Sequence, residues 1–157
     1  MAKRISKKAS GCAVFCDDIR VELGGKFTLV GVYGSAMLVA GEPPYQIPKF
    51  GIYLTYSEAS NDSALPLAVE IYVPGDARKK PSHVFEIPAP PREMDPISVM
   101  DEGRKIEVQI PIVLAPFNIP LDGTLDVRMR RGSEIIPLGK LLVQKMPMPA
   151  GEQAPIY

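Results

Sequence analysis

Tryptophan is absent from the 157 residues, histidine occurs once and cysteine twice, and 18 Lys and Arg balance 18 Asp and Glu. Each scarcity excludes something. A Ser-His-Asp arrangement would have to use His83, and no GxSxG elbow offers it a serine. Cys12, Cys16 and His83 make only three zinc donors, and two cysteines four apart on a strand are a poor chelating pair. On one strand those cysteines sit about 13 Å apart at roughly 3.3 Å per residue. A disulfide needs Cα atoms within about 7 Å. They are expected to be two reduced thiols facing the same way, behaving as small core residues. Zero net charge gives no global pull towards nucleic acid or an anionic membrane. With 7% aromatics and none interleaved with basic residues, no platform for stacking single-stranded bases is visible. There is no P-loop, no GxGxxG after a strand and no acidic calcium-loop spacing. No cofactor, metal or catalytic residue is assigned on these grounds.

Long apolar runs are also missing. The charge-free stretch Phe27–Gly41 is 15 residues long, below the ~18 of a membrane span. Lys3, Arg4, Lys7 and Lys8 begin the chain like a signal peptide, but the apolar Cys12–Cys16 that follows is shorter than the roughly 7–15 residues of a signal's apolar region. The expected location is the cytoplasm, or a virion or virus-like particle made there. Residues 1–10 are basic and aperiodic, and read as a flexible arm that holds phosphates non-specifically at most.

What the chain has in excess is proline, 17 residues, and with 13 glycines these make 30 of 157 positions. Proline inside a helix costs ~3 kcal/mol, so long helices are excluded and short strands with turns between them are favoured. Apolar residues at every second position mark the strands. The first runs from Gly11 to Leu23, and the second from Lys26 to Val39, open to a bulge, bend or split at Gly31 and Gly34. Phe50–Ser57 is the third, followed by a polar turn, Glu58–Ser63. The fourth, Leu67–Val73, sets Leu67, Val69 and Ile71 against Glu70 and Tyr72, and the fifth is His83–Ile87. The proline-rich 88–101 is irregular, with one turn of helix at 97–100. The sixth, Lys105–Leu114, carries Pro111, which cannot donate to a ladder and places the strand at an edge or a bulge. The seventh, Thr124–Arg130, alternates cleanly and reads as wet on one face; the eighth, Ile135–Gln144, is divided by Pro137 and Gly139. The expected fold is all-β: a single-domain antiparallel β-sandwich of about 7–8 strands, Ig-like or jelly-roll-like, over 11–145, with a proline-rich tail at 146–157.

The most unusual local feature is the run CDDIRVELGGKFTLVGVY, Cys16–Tyr33. Gly24-Gly25 between two apolar arms signals a hairpin, because both turn positions tolerate positive φ. Its first arm carries Asp17, Asp18 and Arg20. Adjacent carboxylates on a strand point to opposite faces, so they form no paired-carboxylate centre alone. The simple register puts Asp17, Ile19, Val21 and Leu23 together on the inward side. An inward Asp17 then caps backbone amides, or a bulge turns it to solvent, or it belongs to a binding site.

These residues carry a resemblance. Asp17–Arg20, Gly24–Lys26 and Gly31–Tyr33 resemble the N-terminal signature of a family of small bacterial proteins of unknown function, and TLDVRMRRGSEIIPLGKLLV (124–143) is similar to that family's ending. The resemblance implies an all-β domain and brings no activity. It singles out Asp17, Asp18, Arg20, Lys26 and Tyr33 as candidate binding or signature residues. Three function classes are carried forward. The first is a non-enzymatic module that binds a protein partner or copies of itself, including a part of a phage-like particle, with no specific nucleic acid and no membrane. The second is a small-molecule or carbohydrate-binding module with its site around Asp17 or in 88–101. The third is a hydrolase using His83 or the Asp17 and Asp18 carboxylates.

Overall fold

The computed structural model describes residues 9–59, 65–77, 80–88 and 105–147. Positions 60–63 of the turn expected at Glu58–Ser63, the helical turn at 97–100 and most of the arm and tail lie outside the described residues. Strand makes up 66% of the described residues and helix none, so the chain is all-β. The strands are β1 (Ser10–Cys16), β2 (Asp18–Val21), β3 (Phe27–Val30), β4 (Ala36–Val39), β5 (Tyr45–Ile47) and β6 (Phe50–Ala59). Then follow β7 (Leu67–Tyr72), β8 (His83–Ile87), β9 (Lys105–Leu114), β10 (Phe117–Ile119), β11 (Gly123–Arg131) and β12 (Glu134–Lys145).

They form four sheets, none closed into a barrel. A three-stranded sheet has the order β1-β6-β9 and a five-stranded sheet the order β4-β12-β11-β7-β8; β5 with β10 and β2 with β3 make two-stranded ribbons. Pairing is antiparallel except where β4 runs parallel to β12, Leu142 opposite Ala36 and Lys145 opposite Val39. Alternation places Phe50, Ile52, Leu54 and Tyr56 of β6 on the same buried side, all at 0–1% exposure. In the larger sheet Val69, Ile71, Leu125, Val127, Met129 and Leu141 are equally buried, and both sets belong to one apolar cluster. Burying each such side chain stabilises by roughly 1.5–3 kcal/mol. At Gly139 a Cβ would lie 3.0 Å from the Ala13 Cβ, so the missing side chain lets β12 pass close to β1.

Several expectations meet corrections. The first strand is not continuous: it breaks at Asp17 into β1 and β2. The second takes the split left open for it, at Gly31, where φ is +65°, and becomes β3 and β4. Pro111 does lie on an edge strand, since β9 pairs only with β6 among the described residues. Pro137 and Gly139 do not divide β12. The register instead jumps from Gly139 opposite Val127 to Pro137 opposite Arg128, leaving Leu138 as an extra, bulged residue. The bulge rephases the alternation, so that Ile136 and Leu138, then Leu141 and Val143, all face inward. Glu58 belongs to β6, not to a polar turn, and it is 3% exposed. The outer face of β11 is not fully wet either. Asp126, Arg128 and Arg130 lie half-buried or deeper, tied into ion pairs with one another and with Glu70 and Glu86.

The thiols face the same way, as expected, on the side of β6 away from the main apolar cluster, and only Cys16 is buried. Cys12 and Cys16 pair with Thr55 and Gly51, on the side of β6 opposite Phe50 and Ile52. Cys12 is exposed with its Sγ 3.1 Å from the Thr55 hydroxyl. Cys16 is buried against Gly51, and burial, reinforced by the Asp17 carboxylate, pushes its thiol pKa up.

Candidate functional site

The hairpin expected around Gly24-Gly25 forms, with β2 and β3 in register from Asp18 opposite Val30 to Val21 opposite Phe27. Gly24 and Gly25 take φ of +80° and +72°, which an L side chain adopts only with strain. The hairpin lies on the outward side of the three-stranded sheet. Ile19 packs on Gly51, where a Cβ would stand 2.9 Å from the isoleucine Cγ1, and the Phe27 ring meets the Tyr53 ring at 5.4 Å between centroids.

The base of the hairpin is held by two clasps built from the charged signature residues. In the first, Asp17 sits at the break between β1 and β2 and is turned out, not inward. Its amide donates to the carbonyls of Val30 and Gly31, and the Tyr33 hydroxyl donates to its Oδ1. Its carboxyl occupies the space that a Cβ on Gly31 would fill. Burial, with the neighbouring Asp17 carboxylate, raises the Tyr33 phenol well above its ordinary range. The Tyr33 ring in turn rests on Phe50, centroids 6.0 Å apart, so this clasp runs into the core.

In the second clasp Asp18 meets Lys49, 2.5 Å away, and Arg20 at 3.8 Å. The Lys49 ammonium and the Asp18 carboxylate form a close ion pair. Lys49, with a smaller push from Arg20, holds the Asp18 carboxyl below its usual range. A lowered folded-state pKa contributes stability that is complete above the unfolded value, ~3.9, and is lost as pH falls through the folded value. In Lys49→Ala the Asp18 carboxyl is expected to titrate at higher pH than in wild type. Carbon-detected NMR titration of that carboxyl reads it; an unchanged midpoint would show that the pair does not act.

The structure therefore brings Asp17 to Tyr33 and Asp18 to Arg20, and leaves Lys26 apart on the exposed turn. Lys49 was missed because it lies in a different segment, between Pro48 and Phe50, with no local pattern linking it to Asp18. The inward face expected for Asp17, Ile19, Val21 and Leu23 holds only at Ile19, 8% exposed. Past it the hairpin overhangs its support: Val21 is 72% exposed and Leu23 94%. His83 is half-buried beside Phe117 and Phe85, ring centroids 5.9 and 6.5 Å away. No group of three or more His, Cys, Asp or Glu suited to a metal occurs among the described residues. The part of 88–101 proposed for a ligand, beyond Pro88, lies outside the described residues.

Set against known proteins, the chain matches no family model, no curated protein and no solved structure.

Proposed function

We propose that the chain is a β-sandwich acting as a non-catalytic assembly module, which docks onto copies of itself through the tip of the β2–β3 hairpin. The sandwich reading rests on the single apolar cluster to which the three- and five-stranded sheets both contribute. The observation that carries the docking reading is the pair Val21 and Leu23, bare at the end of a hairpin whose base is clasped twice. Single exposed aliphatics are ordinary on a protein surface. Two on one anchored tip are a different matter, because covering each would return roughly 1.5–3 kcal/mol at little ordering cost. The absence of net charge adds to this, since like copies do not repel one another. The signature residues Asp17, Asp18, Arg20 and Tyr33 then act as positioning groups, and Lys26 sits on the presented turn.

Light scattering behind size exclusion tests it. The wild type is expected to run above the 17.1 kDa monomer in a concentration-dependent way. Val21→Asp with Leu23→Asp is expected to return the monomer and leave the melting midpoint unchanged, as exposed substitutions lie within about ±0.5 kcal/mol. A wild type that stays monomeric at every concentration overturns the proposal, and so does a doubly substituted chain that still assembles.

A further inference from the structure

The hairpin that carries the bare tip also has a free backbone edge. β2 pairs only with β3 among the described residues, and it is the arm that lies against β6 and β9. Its other side therefore looks out past β9, the edge of the three-stranded sheet. The hydrogen bonds within the hairpin tell which residues this side presents. The Glu22 amide donates to the Lys26 carbonyl at 2.8 Å. Backbone groups of successive strand residues point to opposite sides, so Glu22, Arg20 and Asp18 direct theirs to β3. Those of Ile19 and Val21 point to the open side, as do those of Leu23 where the strand meets the turn. Side chains alternate as well: Ile19, Val21 and Leu23 fall on one face, and Asp18, Arg20 and Glu22 on the other.

On the footing of the tip docking proposed above, we infer that two copies join by antiparallel pairing of β2 with β2, across a two-fold axis at Val21. The run Ile19–Leu23, IRVEL, is its own complement in that register. Val21 meets Val21, Ile19 meets Leu23 and Arg20 meets Glu22, the last two pairs each occurring twice. Opposite charges then face one another on one side of the ribbon and aliphatic side chains on the other. The neighbouring registers fail. Centring on Arg20 or on Glu22 sets like charges together, and centring on Ile19 sets Val21 against Asp17. The register at Val21 also suits the free edge, because the Val21 amide of each copy donates to the Val21 carbonyl of the other. Leu23 of the second copy comes beside Ile19 and towards Val113, which pairs with Gly51 under Ile19 and is 42% exposed. Two hairpins become one four-stranded ribbon. The contact uses the same edge on both chains, so it closes at two copies.

Charge exchange tests the register, read by light scattering behind size exclusion on the full chain at concentrations up to ~1 mM. Wild type is expected to approach twice the 17.1 kDa monomer and go no further. Arg20→Glu and Glu22→Arg each place two like-charge pairs across the axis, and each is expected to weaken the dimer at least ~10-fold. Mixed one to one, the two variants restore opposite charges at both positions and are expected to form a heterodimer within about threefold of wild-type affinity. Arg20 and Glu22 are exposed, so both variants should melt with the wild type. Hydrogen exchange reads the backbone. The Val21 amide is expected to slow ~10-fold or more as concentration rises, whereas the Glu22 amide, already bonded to Lys26, is protected throughout. If wild type stays monomeric, tip docking fails and this pairing with it. If wild type assembles and the Val21→Asp, Leu23→Asp chain does not, but the charge variants fail to combine or keep wild-type affinity alone, the strand pairing is overturned and tip docking stands. A Val21 amide indifferent to concentration in an assembling chain, or masses that climb past two copies, overturns the pairing too.

Discussion

A Phe50→Ala variant is expected to lose about 3–5 kcal/mol of unfolding free energy, the range for truncating a fully buried Phe. Phe50 opens β6 and has no exposed surface. Its ring is shared by three others: Phe117 at 5.0 Å, Tyr33 at 6.0 Å and Phe15 at 6.2 Å between centroids. Those rings come from the β5–β10 ribbon, the stretch after β3, and β1. One truncation therefore opens a cavity that three segments cannot close together. At ~2–4 °C per kcal/mol for a chain of this size, the melting midpoint should fall by ~6–20 °C. The position also bears on the hairpin. With Phe50 gone, Tyr33 loses its support, and amide exchange of the β2–β3 residues is expected to quicken more than that of β7 or β11. Uniform quickening would show that the aromatic chain does not brace the hairpin.

Arg131→Met is expected to cost a similar amount, about 3–5 kcal/mol, for a different reason. Glu58 and Arg131 occupy positions of β6 and β11 that continue the inward-facing sets, at the ends of their strands. Their side chains are 2% and 11% exposed, with Arg131 Nε donating to Glu58 Oε2 at 2.6 Å. The Tyr56 hydroxyl donates to the same oxygen at 2.9 Å. The pair thus bridges the three- and five-stranded sheets at the rim of the apolar cluster. Removing the guanidinium takes the Nε–H donor and its opposing charge away from a carboxylate that is only 2% exposed. Replacing both residues, Glu58→Met with Arg131→Met, removes the buried carboxylate as well and is expected to recover most of the loss. Urea unfolding of both variants gives the comparison. A single variant within 1 kcal/mol of wild type, on the scale of an exposed pair, would show that the bridge contributes little.

How far the residues themselves foretell this architecture depends on the element. β8 and β9 begin and end where their alternation does, because proline or glycine stands nearby and one side of each is apolar. β5 and β10 escape a pattern reading: each is three residues long between prolines, Pro44 and Pro48, Pro116 and Pro120, too short for a period to register. The break at Asp17 escapes it as well, for no glycine or proline marks the spot; the clasp with Tyr33 and the space above Gly31 create it. Charge misleads in the same way at Glu58 and Asp126. A charged residue reads as solvated until its surroundings are in place: for Glu58 these are Arg131, 73 positions on, and for Asp126 they are Tyr72 and Lys140 on the flanking strands, with Arg128 two positions along its own strand. The hairpin is local and was legible; its bare tip was not, because nothing in the alternation tells where the underlying sheet ends.

The parallel seam between β4 and β12 has a consequence for synthesis. Ala36–Val39 leave the ribosome early, yet their only ladder partner among the described residues is Leu142–Lys145, more than a hundred residues later. Until Leu142–Lys145 have been made, the earlier strand has nothing of its own sheet to join, and contacts of such sequence separation close slowly. Pairing of β4 is therefore a late step of folding, whatever the neighbouring β2–β3 hairpin has done by then.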